Sequence, residues 1–282
     1  MDRFTEELEP GYFQGFAVDR VILDEKTDLQ HLVIFENRLF GRIMALDGII
    51  QTTEKDEFIY HEMIAHVPLM SHAAPRRVLI VGGGDGGTLR EVLRHPDVEH
   101  VVQVEIDAGV IDTCRRYFPN HSQGAFDNPR AEIIIDDGFD YVATSDQRFD
   151  VIITDSTDAV GPGAVLFSRD YYAGCRRCLA DGGVLVTQNG VAFLQMYEVR
   201  PSAQYFSELF QDAHFYGAAV PTYVGGIMLF GWATDDMALR TVSIDTLRQR
   251  YSTRQLVTRY YTPDLHCGAF ALPQYVIDGI RH

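Results

Sequence analysis

Four stretches of this chain combine residue types and spacings that can do chemistry. Gly82, Gly84 and Gly87 satisfy G-x-G-x-x-G, with Asp85 set among them. Glycines permit a tight turn and let a ligand approach the backbone. Glu105 follows at about the twenty-residue distance at which a carboxylate accepts hydrogen bonds from ribose hydroxyls. That pairing fits an adenosine-type ligand without separating a nicotinamide dinucleotide from an S-adenosyl compound. Asp136-Asp137-Gly138 offers a carboxylate and a flexible turn to a base edge, although Asp-Gly is also a common turn pair. Asp155-Ser156-Thr157-Asp158 places two acids ahead of the small-residue loop Ala159 to Gly163.

Asp85 narrows the ligand. A carboxylate among the glycines of a pyrophosphate cradle repels the phosphates. It equally opposes the carboxylate tail of S-adenosylmethionine, and it suits a cationic tail. With Asp155 and Asp158 nearby, one crevice would hold three negative charges. Such a site is unfavourable when empty and is relieved by ammonium groups.

These residues need elements to position them. Val78–Val81, Val101–Val104, Ile133–Ile135, Val151–Thr154 and Val184–Thr187 are short continuous apolar runs separated by helical stretches. Such runs suit strands buried on both faces, hence a parallel sheet with helices on both sides. In an open α/β sheet the ligand sits at the carboxyl ends of the strands, where all four motifs fall. Upstream, Gln30–Phe35 and Arg42–Leu46 read as strands, with turns at Asn37-Arg38 and Asp47-Gly48. A helix is expected over Glu54 to Met70, capped by Thr53. His61 and His66 fall within it, and a lone helical histidine is more often structural than part of a site. A helix over Leu194–Phe210 and a strand pair, His214–Val220 and Ile227–Ala233, close the pattern; the pair can add to the edge of the main sheet.

Composition sets outer bounds. The 24 basic and 40 acidic residues give a net charge of −16. That excludes a chain built to coat nucleic-acid backbones or an anionic membrane surface. It is equally what ordinary solubility produces. No run of about 18 apolar residues occurs, as a membrane-spanning helix needs. The start, MDRFTEELEPGYF, lacks an apolar signal segment, so a cytoplasmic protein is expected. Cys175 and Cys178 form a single C-x-x-C within a helical pattern, which reads as plain thiols, since a structural zinc site needs four ligands.

Together FAVDRVILDEKTDLQHLVIFEN, MALDGIIQTTEKDEFIYHEM, VLIVGGGDGG, VEIDAGVI, IDDGFDYV, DSTDAVGPG and ALPQY resemble the bacterial spermidine synthases, the polyamine aminopropyltransferases. The resemblance runs from about Tyr12 to Tyr275. It implies a small N-terminal antiparallel β domain over 1–52 and a methyltransferase-like (Rossmann-type), doubly wound α/β domain over 53–282. It implies transfer of an aminopropyl group from decarboxylated S-adenosylmethionine to putrescine, giving spermidine and 5′-methylthioadenosine. Neither a prosthetic group nor a metal is expected, and the assembly is expected to be a homodimer or homotetramer.

Carried over by position, Gln30, Glu105, Asp137, Gly138 and Pro162 match residues holding the nucleoside, beside Gly82 of the glycine loop. His61, Asp85 and the stretch Asp155, Ser156, Thr157, Asp158 match residues holding the polyamine. Asp155 matches the proton acceptor, and Tyr60, Gln51 and Tyr223 match positions near the acceptor amine. One departure is Ala159, where the family loop has proline; the change should loosen this loop without altering the chemistry. Three alternatives stay open at this point: a putrescine N-methyltransferase using intact S-adenosylmethionine, a nicotinamide-dependent oxidoreductase, and a polyamine-binding sensor without activity.

Overall fold

The computed structural model describes residues 2–27, 29–159 and 161–281. β1 (Arg3–Glu9) and β2 (Tyr12–Ala17) form an antiparallel hairpin. β3 (Arg20–Lys26), β4 (His31–Asn37), β5 (Gly41–Leu46) and β6 (Ile49–Thr53) form a separate four-stranded antiparallel sheet in chain order. The N-terminal β domain is therefore two sheets: both strands read from the sequence lie in the second, and the first begins at Arg3. β1 escaped notice because one of its buried positions is an acid: Glu6 faces inward and accepts from Ile50 N at 2.7 Å. Between β5 and β6, Asp47 and Gly48 take φ of 49° and 89°, the left-handed pair of a two-residue hairpin.

α1 (Glu57–Ser71) follows, later than the expected Glu54 start. Thr53 belongs to β6, and its hydroxyl donates to Asp56 Oδ1 rather than capping a helix. Asp56 occupies the N-cap position but spends its other oxygen on Thr222 N and Oγ1, at 2.9 and 2.8 Å. The first turn of α1 is thereby tied to a distant loop. Burial runs without a break from Ile59 to Ser71, so α1 is an interior helix rather than one with a partial apolar face.

β7 (Arg77–Gly82), α2 (Gly87–Leu93), β8 (His100–Glu105), α3 (Ala108–Tyr117), α4 (Pro119–Ser122), β9 (Ala131–Ile135), α5 (Gly138–Thr144), β10 (Phe149–Asp155), α6 (Arg169–Cys178) and β11 (Leu179–Val191) alternate as the apolar runs predict. α7 (Met196–Leu209) then leads to β12 (Asp212–Ala218) and β13 (Met228–Thr234), followed by the helices α8 (Ile244–Thr253), α9 (Pro263–Ala269) and α10 (Gln274–Arg281). The sheet order is β12-β13-β11-β10-β7-β8-β9. β7 to β11 pair in parallel, while β13 runs antiparallel between β11 and β12, the edge addition expected of that strand pair. One apolar core packs α1, α2 and α8 on one face, and a second packs α5, α6 and α7 on the other. Cys175 and Cys178 are buried in the second.

Strand order reverses between β7 and β10, which lie side by side. A crevice opens outside the carboxyl ends of such a pair. Register places Gly82, the last residue of β7, opposite Asp155, the last of β10.

Candidate functional site

The glycine loop works by close approach. Gly82 and Gly83 take φ of 85° and 70°, and Gly83 N donates to Asp155 O at 2.8 Å. A Cβ on Gly82 would strike that carbonyl, so only glycine lets β7 and β10 end in contact. Gln103 on β8 holds the loop from below, its Nε2 donating to Gly82 O and Gly83 O at 2.8 and 2.7 Å.

The main cavity lies over these strand ends and meets both domains. On one side it is lined by Gln30, Gly82, Glu105, Asp137 and Gly138. Gln30 is fixed by a bond from its Nε2 to Asp107 Oδ2 at 3.0 Å, and Thr27 Oγ1 donates to the same oxygen at 2.7 Å. Asp107 also caps α3 through Gly109 N. One buried carboxylate thus joins the N-terminal domain to the edge of the large sheet. Burial pushes the Glu105 carboxyl up to about 7 despite a bond from Asp107 N at 3.0 Å. Asp137 caps α5 by accepting from Phe139 N at 2.7 Å. Pro162 falls in a short 3-10 stretch, Gly161–Phe167, and its side chain is outside the described residues.

The other side brings together Gln51, Tyr60, His61, Asp85, Asp155, Ser156, Thr157, Asp158 and Tyr223. The three acids expected there do converge, but none is bare. Asp155 accepts from Tyr60 Oη at 2.6 Å and from Thr88 Oγ1 at 2.7 Å. Burial raises its carboxyl above the ordinary value, while the His61 charge pulls the other way. Asp158 accepts from Gln188 Nε2 and Gln195 Nε2 at 2.8 and 2.9 Å, and burial raises it too. Asp85 accepts from Gly87 N at 2.8 Å and lies 3.3 Å from His61 Nε2. Burial opposes its ionisation, but the His61 cation outweighs this and holds it well below the usual carboxylate range. The empty, three-fold anionic crevice is thus replaced by three separately solvated acids, one of them ion-paired.

Tyr223 is half-buried rather than an exposed loop aromatic. Its Oη donates to Gln51 O at 2.5 Å, and its ring meets Tyr60 edge-on at 5.8 Å. These two rings wall the space beside Asp155. Ala159, in place of a proline, presents an N–H that donates to Glu198 Oε1 at 3.3 Å.

Several partners went unread in the sequence. Gln188 stands directly after the Val184–Thr187 run, so the strand-end rule applied to the last strand points to it. Thr88 stands in the first turn of α2, directly after the last glycine of the loop. Gln195, Glu198 and Glu6 carry no local signal, since folding alone brings them to the cavity or beside its acids.

Residues 57–243 match the model of the spermine/spermidine synthase domain, and residues 3–54 match that of the spermidine synthase tetramerisation domain. The chain is 58% identical over 280 residues to polyamine aminopropyltransferase 1 of Pseudomonas aeruginosa, covering 99% of this chain and 98% of that one. It is 55% identical over 281 residues to the polyamine aminopropyltransferase of Pseudomonas syringae pv. tomato, covering 100% and 98%. Among solved structures, it superposes on a spermidine synthase in complex with the transition state analogue AdoDATO with a TM-score of 0.94, at 37% identity and over 99% and 94% of the two chains. The spermidine synthase from Thermotoga maritima gives a TM-score of 0.91 at 36% identity, over 99% and 94%.

Proposed function

The chain belongs to the spermine/spermidine synthase family and is a polyamine aminopropyltransferase, and from that premise we propose that it moves an aminopropyl group from decarboxylated S-adenosylmethionine to putrescine. Gln30, Gly82, Glu105, Asp137, Gly138 and Pro162 hold the nucleoside. Gln51, Tyr60, His61, Asp85, Ser156, Thr157, Asp158 and Tyr223 hold the amine chains, and Asp155 is the catalytic group.

The nitrogen lone pair of the attacking amine forms a bond to the propyl carbon. The carbon–sulfur bond breaks with its electron pair going to sulfur, which releases 5′-methylthioadenosine. Positive charge thereby moves from sulfur to nitrogen, and the new secondary ammonium gives its proton to Asp155. A fixed carboxylate facing that nitrogen stabilises the charge as it develops. The attacking end must be neutral, yet an alkylamine has a pKa of about 10.4. The Tyr60 and Tyr223 rings favour the neutral form by desolvation, and proximity supplies further rate. The observation that carries the assignment is Asp155 itself, at the reversal of strand order, with both its oxygens oriented by Tyr60 and Thr88.

The division into an N-terminal β domain over 1–52 and a catalytic domain over 53–282 is part of the same reading; it is supported by the end of β6 at Thr53 and the start of α1 at Glu57. A homodimer or homotetramer in the cytoplasm, binding neither nucleic acid nor membrane, is the accompanying expectation; the match of residues 3–54 to a tetramerisation domain favours self-association, and no helix among the described residues is long and apolar enough to cross a membrane. The test is product identification from decarboxylated S-adenosylmethionine with a panel of diamines, beside a parallel series with intact S-adenosylmethionine. Spermidine and 5′-methylthioadenosine are expected. An N-methylated amine in the second series would replace this reading with a methyltransferase.

A further inference from the structure

His61 is held on both ring nitrogens. Nδ1 lies 2.6 Å from Glu57 Oε2, one turn earlier on α1, and Nε2 lies 3.3 Å from Asp85 Oδ2. Glu57 is held in turn by Arg90 of α2, whose Nη2 and Nη1 donate to its two oxygens at 2.8 and 3.3 Å. Arg90 cannot drift, because it also donates to Glu91 Oε1 at 2.7 Å and to the carbonyls of Asn120 and His121. The face of the imidazole is backed by Gly87, where any Cβ would collide with the ring. Asp85, His61, Glu57 and Arg90 therefore form a buried ladder of alternating charge that begins in the cavity and ends in the body of α2.

We propose that Glu57 is a positioning residue of the amine site: it holds His61 as a cation against Asp85 and so sets how strongly Asp85 takes an ammonium group. The inference rests on the amine-binding reading above. Asp85 spends one oxygen on Gly87 N and the other on His61 Nε2, so an ammonium that binds this carboxylate shares it with the ring. With His61 charged, that sharing is a competition between two cations. With the ring neutral, Asp85 is bare and Nε2 becomes an acceptor, so the same ammonium binds more tightly.

The groups facing His61 are Glu57 and Tyr60 on α1, Asp85 in the glycine loop, Arg90 on α2, His121 on α4 and Asp155 at the end of β10. Burial alone would lower the His61 pKa, but Asp85 and Glu57 hold it well above the ordinary value. Glu57→Gln keeps the shape and an acceptor for Nδ1 while removing one of the two anions. The His61 pKa then moves down, since one of the anions that raise it is gone.

The experiment measures putrescine affinity by calorimetry on protein saturated with 5′-methylthioadenosine, across about pH 6 to about pH 9. The ionisation of putrescine itself cancels in the ratio of variant to wild-type Kd. That ratio should fall by at least ~5-fold as pH rises, from conversion of the ion-paired ring to the neutral one. In a His61→Gln background, Glu57→Gln should leave the ratio flat. A flat ratio with His61 present, or a pH-dependent one with His61 absent, overturns the proposal. Should Glu57→Gln not fold, the wild-type His61 proton resonance, identified by its loss in His61→Gln, reports directly. It should stay protonated well above the ordinary ~6.5, and a midpoint near that value overturns the proposal. Calorimetry needs no turnover, so a protein that binds putrescine without forming spermidine would count against the reaction alone.

Discussion

Tyr60 Oη and Asp155 Oδ1 stand 2.6 Å apart, across the seam between α1 and the end of β10. Thr88 Oγ1 at 2.7 Å takes the other carboxylate oxygen, so the group is aimed before any amine arrives. Desolvation raises Asp155 towards the protonated state, while Tyr60 and Thr88 favour the anion by donating to it. Asp155→Asn keeps the size but removes the negative charge and the proton acceptor. It should lower kcat by at least ~100-fold with a smaller change in KM, the usual size of acid–base and electrostatic contributions. Near-native kcat would remove Asp155 from its role.

Glu105 couples binding to stability. Its carboxyl is pushed up to about 7 by burial, against an ordinary value of 4.5. Between those two values the folded state binds more protons than the unfolded one, so stability falls as pH rises through that window. Glu105→Gln removes the penalty. Thermal melts of the ligand-free variant should therefore exceed wild type above pH ~7 and converge with it near pH ~4. The same change leaves one acceptor oxygen, the one that Asp107 N can keep, and turns the other into a donor, so KM for decarboxylated S-adenosylmethionine should rise by about ten-fold or more. A variant neither more stable at high pH nor weaker for the donor would show that Glu105 is not a desolvated ligand group.

What was legible in the sequence followed from period and strand ends. Continuous β-branched runs announced the parallel strands, and residues after all five of them line the cavity. What stayed hidden was long-range pairing. Nothing local announces that Asp158 is solvated by Gln188 and Gln195, or that Asp56 bonds Thr222 instead of capping α1. The charge count misled for the same reason. Convergence of Asp85, Asp155 and Asp158 could be read from topology, but their neutralising partners sit on α1, α2 and the β11–α7 segment. Glu6 shows the limit of pattern reading, since a buried acid within a strand erases the alternation that would reveal it.

Ala159 gives the loop after β10 a donor that a proline lacks. Its N–H meets Glu198 Oε1 at 3.3 Å, and burial together with the Asp158 charge pushes the Glu198 carboxyl up to about 8. Ala159→Pro exchanges this hydrogen bond for a fixed φ. The two effects oppose each other, each of order ~1 kcal/mol. Turnover should stay within about three-fold of wild type, while the Glu198 carboxyl moves further up for want of its donor. Infrared titration of the carboxyl band in Ala159→Pro, referenced to Glu198→Gln, measures that movement. An unchanged titration would show that the backbone bond does not reach Glu198 in solution.

Gly87 separates helix stability from the site. It is the first residue of α2, where alanine has the better intrinsic propensity by about 1 kcal/mol. A Cβ there would collide with the His61 ring, which must then swing away from Glu57 and Asp85. Gly87→Ala should therefore alter the melting temperature by only a few degrees yet lower KM for the amine by about ten-fold, because the Asp85 carboxylate loses the cation that competes for it. The nucleoside side lies away from this contact, so binding of 5′-methylthioadenosine should stay close to wild type. Equal losses in amine and nucleoside binding would instead mean that the whole glycine loop had shifted, and that Gly87 serves the fold rather than the placement of His61.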